Sequence, residues 1–177
     1  MFHFNTITNL VKRYALVAAI AALAGCGAAQ DNTTTTATTT TAANAASSIN
    51  GESIIRGDAS NWLSNGRTYD EQRHSPLDQI NLDNVDDLSL AWYWNTGTKR
   101  GLEATPIVVD GIMFNSGAWS MVWAHDAKTG ELLWEFDPQV DRAWARYACC
   151  DVVNRGVAAW KGKIYIGTID GLSLIHI

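Results

Sequence analysis

The chain has 177 residues, 47% of them hydrophobic, and a formal net charge of −5. That is enough apolar material for one domain with a core, and nothing in so acidic a chain favours nucleic acid, which wants a clustered basic face. Eight Trp are a surplus for this length, and Pro is scarce at three.

Residues 1–25 read as a targeting segment. Lys12 and Arg13 precede an apolar run from Tyr14 to Ala24, too short to stay in a bilayer as a helix, which takes about 20 residues. The run ends in Leu23-Ala24-Gly25-Cys26. This resembles a bacterial lipobox, in which small side chains fit the peptidase and the Cys26 thiol takes the lipid. An ordinary signal peptide cut at a small residue is the alternative. Gly27 follows in place of Asp, so the pattern implies a periplasmic protein, lipid-anchored to the outer membrane of a Gram-negative bacterium. Residues 26–50 are mainly Ala, Thr, Ser and Asn, with no large apolar side chain before Ile49. Such a stretch cannot offset its own ordering entropy, so a disordered, flexible tether is expected there.

From residue 51 the chain is expected to be all-β. Ser60 to Asn81 is polar and irregular. Leu88 to Trp94, LSLAWYW, alternates and is aromatic, which predicts a strand. Thr105 to Gly117 predicts two strands joined by Asp110-Gly111, a hairpin turn signal. SMVWAHD and GELLWEFD predict a further pair around the turn Ala127-Lys128-Thr129-Gly130. GVAAWKGKIYIGTIDG then repeats the first hairpin: Lys161-Gly162 falls on Asp110-Gly111 at an offset of 51, so Phe114 meets Tyr165 and Ser116 meets Gly167. A second similarity joins NLDNVDDLSLAW to AHDAKTGELLW. Several strands at periods of roughly 40–50 residues are the mark of propeller blades.

The unit Ala124-x-Asp126-x-x-Thr129-Gly130, followed by Trp134, resembles the tryptophan-docking motif of eight-bladed propellers that use pyrroloquinoline quinone (PQQ). The order GLEATPIVVDG, then ACCDVVNRGVAAWKGKIY, resembles the N-terminal part of the quinoprotein alcohol dehydrogenases. YDEQRHSPLDQIN is similar to a segment that precedes it there. The resemblance covers about Trp62 to Gly171. It implies that residues 51–171 form about two to three blades of an eight-bladed quinoprotein-type β-propeller. It also implies that Trp134 stacks between adjacent blades; ordinary core packing is the alternative.

The adjacent pair Cys149-Cys150 reads from the residues alone either as two thiols or as a strained ring between neighbours. The resemblance implies the disulfide, as a flat platform against one face of PQQ. It implies further that Arg155, five residues after Cys150, clamps the cofactor's carboxylates, a task suited to a planar guanidinium. Glu103, in LEATP, falls on a position that hydrogen-bonds the cofactor. Asp151 and Asn154 read as local turn-formers, and His74 and His125 as structural or surface residues. No catalytic base and no metal ligand are assigned, since the family's catalytic Asp and calcium ligands are expected in later blades. The implied activity is PQQ- and calcium-dependent oxidation of small alcohols, with electrons passed to cytochrome c or quinone. No CxxCH is present, so any haem c would belong to a further domain. A chain of this extent is expected to be inactive alone.

A propeller lipoprotein that acts as an outer-membrane assembly scaffold, without cofactor, is the alternative. A glucose-type membrane quinoprotein is a weaker one. Residues 172–177, LSLIHI, resemble the translation of a transposon-end adapter from sequencing libraries, and are expected to be an artefact. A natural strand is the alternative reading there.

Overall fold

Asp110 and Gly111 take positive φ values of 47° and 80°, and Lys161 and Gly162 take 46° and 81°. Two consecutive positive φ angles suit a type I′ turn, whose twist matches the strands on either side. The 51-residue repeat is therefore a repeat of backbone geometry. In this computed structural model, which describes residues 49–176, the first turn joins β1 (Ile107–Val109) to β2 (Ile112–Ser116) and the second joins β5 (Ala158–Trp160) to β6 (Lys163–Gly167). β3 (Val122–Asp126) and β4 (Leu132–Phe136) complete a four-stranded antiparallel sheet in the order β1-β2-β3-β4. β5, β6 and β7 (Ser173–His176) make a second, three-stranded sheet. The all-β reading and the propeller-type units hold.

Alternation decides which side chains are inside. Ile107, Val109, Ile112 and Phe114 of the first sheet share one buried cluster with Ala159, Ile164 and Ile166 of the second. Burying each large side chain contributes about 1.5–3 kcal/mol, so the two sheets stabilise each other as neighbouring blades do. Trp62 bridges to Val108 on the outer edge of β1, which covers part of that edge.

The turn between β3 and β4 is built by Asp126. Its Oδ1 accepts from the backbone N–H of Lys128 at 2.9 Å, that of Thr129 at 2.7 Å and the Thr129 hydroxyl at 3.0 Å. The backbone N–H of Thr129, above all, holds this carboxyl below its usual range. Gly130 then turns with φ 76° and leaves its face open for the indole of Trp92, whose Nε1 donates to the Ala127 carbonyl at 3.1 Å. Docking of a Trp on this motif is thus made by Trp92, the residue that the second sequence similarity pairs with Trp134. Trp134 itself is half-buried, 5.9 Å from Phe114 of its own sheet.

One expectation is corrected. Leu88 to Trp94 forms no ladder among the described residues; a strand requires a partner edge, and no described strand pairs with it. Trp92 and Trp94 turn toward His125 while Tyr93 points away, 80% exposed. Within the span 26–50 read as a tether, Ile49 is buried and Asn50 caps a short helix, α1 (Gly51–Arg56). After Cys26, Ile49 is the first residue with enough apolar surface to gain from burial. Cys26, the residues read as a targeting segment and most of those read as a tether lie outside the described residues. No helix among the described residues is long and apolar enough to cross a membrane. The apolar alternation of the last residues pairs as β7, against β6 from Gly167↔Ser173 to Ile164↔His176.

Candidate functional site

The loop from Ala148 to Val157 leaves a 3-10 helix (Arg142–Tyr147) and enters β5. Asp141 caps that helix by accepting from the Ala143 N–H at 2.8 Å. Arg142 stacks over the Trp119 ring, 4.2 Å from its centre. The loop is stitched to the turn between β2 and β3 by the Trp119 N–H, which donates to the Val152 carbonyl at 2.9 Å.

Glu103 and Arg155 meet, and Cys149 and Cys150 adjoin each other. Arg155 Nη2 lies 3.1 Å from Glu103 Oε2, with the arginine side chain 75% exposed and the glutamate 42%. So exposed a pair adds at most about 1 kcal/mol to stability; its geometry matters more than its energy. Cys149 and Cys150 are exposed free cysteines with their Sγ atoms 2.7 Å apart, longer than the ~2.05 Å of a closed bond. The Cys150 thiol is pushed up, first by its hydrogen bond with Cys149. The charge of Arg155 pulls it down and that of Glu103 raises it further. Arg155, Glu103 and Cys150 therefore lie within electrostatic reach of one another.

Beside the ion pair is a cavity of about 650 Å³, lined by Arg73, Glu103, Thr105, Asn154, Arg155 and Tyr165 among others. The cysteines are not in its wall. An exposed guanidinium at the mouth of such a cavity, already oriented by one carboxylate, suits an anionic, planar ligand. Gly156, with φ 135°, lets the loop pass close to Thr105: a Cβ there would stand 3.2 Å from the Thr105 carbonyl oxygen.

Two residues read from the sequence as turn-formers do more. Asp151 pairs with Arg100 at 2.6 Å, and its carboxyl is held below the usual range by the Val152 N–H first and by Arg100 after it. Asn154 bonds to both sheets. Their partners lie 51, 38 and 13 residues away in sequence, so no local pattern could have found them. His125 is buried, 2% exposed, with both ring nitrogens lacking a hydrogen-bond partner. It sits against Trp92 and Trp94 at 6.0 and 4.9 Å and does not touch the loop's site residues through any of these contacts. Among the described residues no three of His, Cys, Asp and Glu gather as a metal site.

Residues 62–172 match the family described as PQQ, glucose/ethanol/alcohol dehydrogenase, beta-propeller domain. The quinohemoprotein alcohol dehydrogenase ADH-IIG of Pseudomonas putida is 57% identical over 125 residues, 70% of this chain and 17% of that protein. The dehydrogenase subunit of the alcohol dehydrogenase (quinone) of Acetobacter aceti is 49% identical over 162 residues, 90% of this chain and 21% of that one. Among solved structures, the quinohemoprotein alcohol dehydrogenase of Comamonas testosteroni superposes with a TM-score of 0.71 at 49% identity, over 75% of this chain and 20% of that one. The chain thus spans about a fifth of the length of these relatives.

Proposed function

The chain belongs to the PQQ family of glucose/ethanol/alcohol dehydrogenase β-propellers, and from that premise we propose that it supplies blades and part of the cofactor site of a PQQ-dependent alcohol dehydrogenase. The reaction is the oxidation of the CH–OH group of a small alcohol. One observation carries this reading: Arg155 and Glu103 meet at 3.1 Å within electrostatic reach of Cys150.

The residues fit the group. Arg155 would grip a carboxylate of PQQ with the guanidinium edge that Glu103 leaves available, and Glu103 would accept a hydrogen bond or share a proton. Cys149 and Cys150, joined as a disulfide in an oxidising compartment, would offer a flat, polarisable surface. Because almost no loop is closed, such a bond does little for chain entropy, and shape is the better reason for it. When bound, PQQ supplies the two-electron oxidising power. Every contribution of this chain is binding, orientation and exclusion of water. Proton abstraction and calcium coordination fall to residues beyond the described site.

The setting proposed is the periplasm, with Cys26 carrying a lipid to the outer membrane. Electrons would leave to a quinone or a cytochrome c. The name of the Acetobacter aceti relative, alcohol dehydrogenase (quinone), supports the first, and the quinohemoprotein names of the others support a haem in their own chains. The 177-residue chain by itself is expected to have no turnover.

The test is reduction of an artificial dye by the intact protein with PQQ, calcium and a primary alcohol. Turnover that requires both the cofactor and the alcohol supports the reading. Neither binding nor turnover would leave the scaffold lipoprotein as the better account.

A further inference from the structure

The loop that carries the cysteines and Arg155 is held from two sides by polar residues that belong to neither the platform nor the clamp. Asn154 Oδ1 accepts from the Ser116 hydroxyl at 2.7 Å and from the Gly156 N–H at 3.1 Å. Its Nδ2 donates to the Gly167 carbonyl at 2.8 Å and reaches the Ser120 hydroxyl at 3.4 Å. Which way an amide points is ordinarily an assignment. Here the backbone decides it, because an N–H must face the oxygen and a carbonyl must face the nitrogen. Ser116 ends β2 and Gly167 ends β6. These are the residues that the 51-residue repeat sets on each other, so one amide spans equivalent points of two consecutive units.

Asp151 works on the opposite flank. It has φ 71°, and its Oδ1 accepts from the Val152 N–H at 2.8 Å and from Arg100 Nη1 at 2.6 Å. Arg100 stands three residues before Glu103. The Thr105 N–H, two residues after Glu103, donates to the Arg155 carbonyl at 3.4 Å. The Glu103 segment and the Arg155 loop are therefore clasped on both sides of the ion pair.

We propose that Asn154 and Asp151 are positioning residues: together they fix Arg155 and Glu103 in register before the cofactor arrives. This rests on the PQQ reading of the same site. Arg155 is long and exposed, and ordering such a side chain on binding opposes affinity. A loop already fixed to both sheets at the preceding residue, and a partner carboxylate already clasped, lowers that cost.

Three measurements on the intact protein test this: the PQQ dissociation constant, the melting temperature, and amide hydrogen exchange without cofactor. Asn154→Ala is expected to weaken PQQ binding by about tenfold and to speed exchange at Gly156 while Val109 stays protected. Asn154→Asp, which keeps the two acceptor bonds but faces the Gly167 carbonyl with oxygen, is expected to fall between. Asp151→Asn is expected to weaken binding in the same direction. Ile107→Val, in the core and outside the site, controls for stability. An Asn154→Ala dissociation constant no worse than that of Ile107→Val at a matched loss of melting temperature would overturn the proposal. So would unchanged exchange at Gly156. Failure of the underlying reading looks different: wild type and Arg155→Ala would then bind PQQ equally, or not at all.

Discussion

The indole of Trp92 lies on the open face of Gly130, so close that a Cβ at that glycine would fall 2.5 Å from Trp92 Cδ2. Gly130 also has φ 76°. Gly130→Ala therefore meets a left-handed backbone and an occupied space at once, and is expected to destabilise by about 3 kcal/mol. Thermal unfolding monitored by Trp fluorescence checks this. A loss below about 1 kcal/mol would mean that Trp92 yields its place freely.

His125 is buried without a partner for either nitrogen, and burial lowers its pKa from the ordinary 6.5. The unfolded chain then takes up the proton first as pH falls. Stability from this group is complete above the ordinary value and declines below it, by at most about 1.4 kcal/mol per pH unit. Denaturant unfolding between pH 7.5 and 5 is expected to show that decline, and His125→Leu to remove its share. The same variant should raise stability at pH 7 by about 1 kcal/mol, because it removes unsatisfied polar atoms.

How far these features could be read from the chain depends on the range of their causes. Both hairpins were legible because Asp110-Gly111 and Lys161-Gly162 carry their turn chemistry locally. The docking motif was legible in Asp126, Thr129 and Gly130 for the same reason, though its occupant, Trp92, comes from an earlier unit. Leu88 to Trp94 has a strand's alternation, but pairing depends on a neighbouring edge that alternation does not reveal. α1 announces itself only through Asn50 and Ile54. Glu103, Cys149, Cys150 and Arg155 were legible as candidates only through the resemblance to a family. Asn154 and Asp151 were not, because their partners Ser116, Gly167 and Arg100 are supplied by the fold.

The Cys150 thiol is raised chiefly by its hydrogen bond with Cys149, and only the thiolate reacts quickly. In the reduced protein at pH 8, Cys150 is expected to alkylate with iodoacetamide more slowly than it does in Cys149→Ala, where that partner is gone. Mass spectrometry of timed samples gives both rates. Equal rates would mean that the two sulfurs do not interact.

The Arg155–Glu103 pair is exposed, so Arg155→Ala is expected to change the unfolding free energy by less than about 1 kcal/mol. A loss of several kcal/mol in denaturant titration would make the arginine a structural residue, not a clamp.

Equilibrium titration of PQQ into the intact protein, wild type against Arg155→Ala, is the most direct measurement of all. One equivalent is expected to bind the wild type, and loss of a charge-assisted carboxylate contact should weaken binding by at least about tenfold. Equal affinity in the two proteins, or no uptake by either, would contradict a cofactor site built around this guanidinium.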